Sequence, residues 1–313
     1  MTQRLEPHAL DRTAAPDEPV DRIAAKSSRR LYWERFRQDK VAVAGGIVVL
    51  LIVVLAVAAP LLSAITHHTP YEQFRDRLDS FGIPKGPNGH FWFGSDNLGR
   101  DLFVRILYGA RVSLRIAILA TGLEVVIATV AGLLAGYLGG FFDGLISRLI
   151  DVILSVPFLL LGISLAITLG PSETLVILVI AFFGWPYVAR IVRGQVISLR
   201  YSEFIEAARS LGASPGRIMV KELLPNVMGL ILTYSTLIIP VNIIYEATLS
   251  YLGVGVQEPT PAWGTMLSEA TQFVSQGAAW WFVVFPGAAL FVTVVAFNLL
   301  GDGLRDALSP RRD

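Results

Sequence analysis

From about residue 41 onward the chain is built of long apolar runs separated by short polar or charged stretches. A helix rises about 1.5 Å per residue and the hydrocarbon core of a bilayer is about 30 Å thick, so about 20 apolar residues suffice to cross it. Segments that meet or approach that length run from Val41 to Leu62, Val112 to Leu138, Ile150 to Gly170, Thr174 to Ala189, Val227 to Leu252 and Trp281 to Leu300. The pattern predicts an all-α, polytopic membrane protein with six transmembrane helices. The fourth is short and carries Pro186, and Arg190 and Arg193 are expected to lengthen it by snorkelling from its end. Gly132, Gly136, Gly139 and Gly140 are expected to let neighbouring helices approach closely.

The intervening segments have their own patterns. Residues 1–28 mix Pro, Ala, Asp and Arg without periodicity and predict a disordered tail, and the late, full-length first apolar run is expected to be a membrane span rather than a signal peptide. In residues 29–40, "RRLYWERFRQDK", Tyr32, Trp33 and Phe36 fall at helical spacing among charges, as in a helix lying in the membrane interface. The span 41–62 leads into a long loop, 63–111. There Ser95 or Asp96 is expected to cap the next helix, and Arg100 and Arg105 to pair with the acidic residues around them. Asp96, Asn97 and Asp101 lack the spacing of an EF-hand. A core at 112–303 and a tail at 304–313 complete the chain. Trp263, Trp280 and Trp281 are expected in an interfacial aromatic belt.

Basic residues orient this pattern. The segments before span one, between spans two and three, between four and five, and after six hold 19 Lys and Arg against 6 in the alternate loops, with Arg115 left inside a span. The positive-inside rule then places both termini and segment 202–225 in the cytoplasm.

Composition narrows the function. With 53% hydrophobic and 16% charged residues, the chain has too much apolar surface for one soluble core. The absence of cysteine excludes disulfides, thiolate ligands and cysteine nucleophiles. His8, His67, His68 and His90 show no metal-ligand spacing, and a net charge of +1 suggests no nucleic-acid partner. No lysine follows a glycine, so the chain has no Walker-type phosphate loop, and no Ser, His and Asp set suggests catalysis. Glu124, Asn242, Glu246 and Asn298 lie within spans, where polar groups are costly. They are candidates for a translocation path, Glu246 near the outer mouth being suited to meet an amino terminus.

The charged insert "SEFIEAARSLGASPGRIMVKELLPN", residues 202–226, is distinctive in so apolar a chain. Ser202 is placed to cap a helix with Glu203 in its first turn, and Phe204, Ala207, Ala208 and Leu211 at i, i+3, i+4 and i+7 form one apolar stripe. Gly212 ends that helix. Ser214 and Pro215 start a second, expected to run to Pro225. An ion-coupled secondary transporter would show inverted repeats and helices broken at mid-membrane, and the sequence displays neither. A membrane enzyme or scaffold would leave the insert without a role.

"EAARSLG", nine further residues and "ELLP" resemble the EAA motif of ATP-binding cassette (ABC) importer permeases, with Glu222 where that pattern has isoleucine. "FGSDNLGRDLFVRILYGARVSL", "GWPYVARIVRGQVISLR", "EATLSYLGVGVQEPTPAWGTML" and "FNLLGDGLRDALSPR" are similar to blocks of the C-type permease subunit of the dipeptide, oligopeptide and nickel family. The resemblance implies a non-catalytic half of an importer for dipeptides or oligopeptides, or for nickel complexes or another small solute. Its implied partners are a second, B-type permease subunit, two cytoplasmic ATPases that carry the ATP and magnesium, and an extracytoplasmic binding protein. It further implies that Glu203, Phe204, Glu206, Ala207, Ala208, Arg209, Leu211, Gly212, Ser214, Pro215, Arg217 and Pro225 belong to coupling helices docking on an ATPase. Glu222, a charge that cannot be buried as isoleucine would be, is expected to face solvent or an ATPase cation.

Overall fold

The computed structural model describes residues 33–34 and 36–308, and these are helical apart from turns, loops and two isolated bridges. The expected tail 1–28 and residues 29–32 and 35 of the expected interfacial helix lie outside the described residues. Within that helix, residues 33–34 and 36–38 are helical, and the Trp33 and Phe36 rings stack with centroids 6.0 Å apart.

Helix α1, Lys40–Val57, begins where the Asp39 carboxylate accepts from the Val41 and Ala42 N–H groups at 2.9 and 3.0 Å. It continues through Ala58 into α2, Ala59–Thr66, which ends at His67 in the left-handed region. Helix α3, Leu102–Leu138, has 37 residues and is about 55 Å long, so it starts well before the expected Val112. Its cap is Asp101, whose carboxylate accepts from Phe103 N–H at 2.9 Å, rather than Ser95 or Asp96.

Gly139 and Gly140, with φ of 67° and 50°, turn the chain into α4, Gly140–Ser155. Only Gly132 and Gly136 serve helix packing among the four expected glycines. A Cβ on either would lie 2.7 or 2.8 Å from the Cβ of Val192 or Val196 on α6. Helix α5, Phe158–Leu169, follows α4 at a bend of 79°. The expected third span is therefore broken, because Val156 precedes Pro157 and the proline disfavours helical geometry there.

Helix α6, Glu173–Leu199, carries Pro186 inside it and runs past the expected end of span four. Arg190 and Arg193 thus lie within the helix rather than beyond it. They pair with Asp151 and Asp143 of α4, at 2.7 and 2.8 Å.

The short helix α7, Glu203–Ser210, leads through Gly212 to α8, a continuous helix over Pro215–Tyr251 that includes a π segment at Ile218–Leu223. The second insert helix therefore does not stop at Pro225. The proline lacks a donor just where the π segment has already shifted the hydrogen-bond register, and the helix passes through. Helices α9, Trp263–Val274, and α10, Trp281–Leu308, complete the fold.

Helices α1, α3, α6, α8 and α10 are each long and apolar enough to cross a membrane, and the α4–α5 pair makes a sixth crossing if taken as one broken span. The main core lies where α3 packs on α6, with Ile116, Ile180, Val188, Val192 and Val196 fully buried. Outward-facing Ile47, Leu50 and Val54 on α1 and Phe291 on α10 remain exposed, as bilayer-facing residues must.

Candidate functional site

The charged insert sits at the Leu138 end of α3, where Arg200 Nη1 donates to Gly136 O at 3.3 Å. Its fixed point is Ile205, fully buried with Ile218 and Leu223, a side chain the stripe pattern did not single out. Such burial contributes about 1.5–3 kcal/mol and holds α7 with its opposite side outward. Glu203, Phe204, Glu206, Ala207, Arg209, Leu211, Gly212, Ser214, Pro215, Arg217 and Pro225 are all exposed, Leu211 at 88%, and Ala208 is half-buried. Ser202 does not cap α7 with its side chain, because its hydroxyl donates to Leu199 O at 2.6 Å, whereas Ser214 Oγ accepts from Arg217 N–H at 3.4 Å. Gly212, at φ 80°, supplies the left-handed turn between the two helices. Glu222 is half-buried, neither openly solvated nor enclosed.

The four path candidates separate in space. Glu124 and Asn242 line one cavity of about 480 Å³ beside the α4–α5 bend, together with Pro157, Gly184, Tyr187 and Tyr245. Glu124 is 1% exposed, and neither of its carboxylate oxygens has a hydrogen-bond partner. Asn242 lies beside it but donates its amide to Thr121 Oγ1 at 2.9 Å. Glu246, by contrast, is fully buried outside the cavity lining and accepts from Ser250 Oγ at 2.8 Å, so it does not stand at an open mouth. Asn298 is exposed on α10 and donates to Val294 O at 3.0 Å.

The opposite, Leu102 end of α3 carries a buried ionic cluster. Arg100 reaches Asp96 at 2.6 Å, Glu258 at 2.9 Å and Glu269 at 3.3 Å, and Arg105 Nε lies 3.0 Å from Asp96. The expected pairing of the two arginines is present, but Glu258 and Glu269 come from the segment between α8 and α10. No local spacing links residues so distant in sequence, and only the fold unites them.

Burial first, and then Glu258 beside it, push the Glu269 carboxyl up to about 8, while hydrogen bonds from Glu269 and Arg100 hold Glu258 low. Burial raises the Asp101 carboxyl against the opposing effect of His68 Nδ1 at 2.6 Å.

The expected aromatic belt is mostly absorbed into this end. Trp263 is fully buried and donates to Ile106 O at 3.1 Å, and Trp281 donates to Ser95 O at 3.2 Å, leaving Trp280 exposed. Among the described residues no three His, Cys, Asp or Glu side chains converge on a possible metal position.

Comparison with known proteins gives concordant matches. Residues 128–313 match the family described as binding-protein-dependent transport system inner membrane component, and residues 27–82 match the N-terminal TM domain of oligopeptide transport permease C. The chain is 40% identical over 279 residues to the dipeptide transport system permease protein DppC of Bacillus subtilis (strain 168), covering 89% of this chain and 84% of the relative. It is 42% identical over 280 residues to the glutathione transport system permease protein GsiD of Escherichia coli O1:K1 / APEC, covering 90% and 89%. An inward-facing crystal form of the MetNI methionine ABC transporter matches with a TM-score of 0.54 at 19% identity, covering 66% of this chain and 98% of that one, a likeness of fold alone.

Proposed function

Since the chain belongs to the family of binding-protein-dependent transport system inner membrane components, as a C-type ABC permease, we propose that it forms half of the membrane pathway of an ATP-driven importer of short peptides. Its apolar helices make it a multi-pass protein of the cell membrane. The second half of the pathway is a B-type permease, and the energy comes from two ATPases that hold ATP and magnesium on their own chains. A binding protein delivers the cargo. The names of the dipeptide and glutathione relatives favour peptides over nickel complexes. The bend between α4 and α5 is the kind of broken helix an ion-coupled transporter would use, but it is a single bend, and no second such pair occurs among the described residues.

The observation that carries the energy-coupling part is α7 itself. Anchored by Ile205, it presents Phe204, Glu206, Ala207 and Leu211 outward on an end of the molecule that the distribution of basic residues assigns to the cytoplasm. The small side chain of Ala207 leaves room for a partner to seat closely, and Glu206 and Arg209 supply charge at its rim. In operation, closure of the ATPase dimer on ATP moves the docked α7. Because α7 is fixed to the α3–α6 core through Ile205 and continues into α8, the motion passes to the spans and alternates access to the pathway.

Replacing Ala207 by Arg should abolish co-purification of the ATPase subunits and ATP-driven uptake while leaving the second permease subunit bound. Retention of both ATPases and of uptake would sink the coupling assignment.

A further inference from the structure

From the cavity at the α4–α5 bend we infer that Glu124 forms a transit site for a primary ammonium group, such as the amino terminus of a peptide. This inference rests on the peptide-importer reading and names the group that the pathway recognises.

Glu124 is 1% exposed, both of its oxygens lack a donor, and it lines a cavity of about 480 Å³. A buried carboxylate is costly unless something supplies charge and hydrogen bonds. Among the described residues no Arg, Lys or His does so. Asn242, the nearest amide, has turned its Nδ2 to Thr121, which leaves its carbonyl oxygen as a further acceptor. Gly184 lets the carboxylate lie close against the α6 backbone, for a Cβ there would lie 2.1 Å from Glu124 Oε1. The walls are aromatic. Phe158 packs on Tyr245 with ring centroids 4.5 Å apart and meets Phe183 edge-on at 5.6 Å, and Tyr187 completes that side.

The chemistry selects the occupant. A carboxyl buried without a cation tends to hold its proton, so an anion would gain nothing from Glu124 and an uncharged apolar solute would leave it unpaired. A divalent cation would need more oxygen ligands than this single carboxylate and amide provide. A primary ammonium group brings positive charge and three donors to Glu124 and Asn242, and the faces of the aromatic rings attract it further. Glu246 cannot take this role, since it lies outside the cavity and already accepts from Ser250. Val156 and Pro157 at the bend form part of the cavity wall where the helix is interrupted, so the site lies at the one broken crossing found among the described residues.

The test is equilibrium binding of radiolabelled peptides to the detergent-purified complex of both permeases and both ATPases, without the binding protein. The expected result is that Ala-Ala binds at least about tenfold more tightly than N-acetyl-Ala-Ala, and that Glu124→Gln erases this preference while Glu124→Asp restores part of it. N-acetyl-Ala-Lys distinguishes the source of the ammonium group. Glu124-dependent binding of it supports a site for any primary ammonium, and weak binding supports one reserved for the amino terminus.

Equal binding of free and acetylated dipeptide by the unsubstituted complex, or a preference that survives Glu124→Gln, overturns the inference. If the Gln variant does not assemble, Glu124→Asp is compared directly and must weaken Ala-Ala more than its acetylated form. Peptide uptake by the unsubstituted importer is measured in parallel, so loss of the importer reading shows separately as absence of any ATP-driven uptake.

Discussion

Asp96 and Glu124 are both buried carboxylates beside α3, and the molecule treats them in opposite ways. Asp96 lies between two guanidinium groups, 2.6 Å from Arg100 and 3.0 Å from Arg105, and also accepts from the Leu98 and Arg100 N–H groups at 2.9 Å each. Glu124, in the middle of α3, has no cation beside it among the described residues, only the Asn242 amide close by, and neither of its oxygens makes a well-formed hydrogen bond. A cluster whose charges answer one another is a fastening, binding the segment before α3 to the segment between α8 and α10. A carboxylate left open in a cavity has been kept at a cost to stability, and the reason for keeping it lies in what enters.

The largest effect should come from opening the fastening. Arg100→Ala leaves Asp96 with Arg105 as its one guanidinium and removes the link to Glu258, and should destabilise the fold by about 3 kcal/mol, seen as a lowered unfolding midpoint of the detergent-purified chain. Glu124→Gln should leave that midpoint unchanged or raise it. If both substitutions destabilise equally, the contrast between the two regions collapses.

A smaller effect concerns pH. Glu269 in the folded cluster keeps its proton up to about 8, whereas the unfolded chain releases it near the ordinary carboxylate value of about 4.3. The folded state thus binds the extra proton between these values, and the contribution is full in acid and lost as pH rises through about 8. From pH 7 to pH 8 the opening of this end should become about fivefold more frequent, measurable by hydrogen exchange of the 75–101 backbone. Glu269→Gln should flatten the dependence, and a cluster equally closed at both pH values would remove Glu269 from this role.

The smallest effect is expected at Arg190 and Asp151, an ion pair at 2.7 Å whose side chains are 52% and 58% exposed. Asp151→Asn should change stability by less than about 0.5 kcal/mol, which calibrates how far burial, rather than charge pairing alone, sets the two larger results.

Much of this was legible in the chain itself. The apolar runs announced the crossings, Gly132 and Gly136 a close helix approach whose partner α6 only the fold supplied, and Ser214–Pro215 and Gly212 the joints around the insert. Other features escaped for identifiable reasons. Pro225 looked like a stop, but a π segment carried the helix past it. Trp263 and Trp281 looked interfacial, yet their indole N–H groups found carbonyls of Ile106 and Ser95. Ile205 was invisible beside the stripe of Phe204, Ala207 and Leu211, because a pattern shows which residues share a face and not which face the rest of the chain will cover.

The sequence by itself determined the helical membrane class and the presence of a punctuated charged helix pair, since apolar run length and turn residues are properties of contiguous stretches of chain. The tertiary structure decided which buried charges are answered. Arg100 meets Glu258 and Glu269 across more than half the chain, while Glu124 is brought to the α4–α5 bend with Gly184 against it and no cation nearby among the described residues. Whether a buried charge fastens the fold or waits for a ligand depends on which partners packing brings within a few ångströms, and that distance is not written in any local stretch of residues.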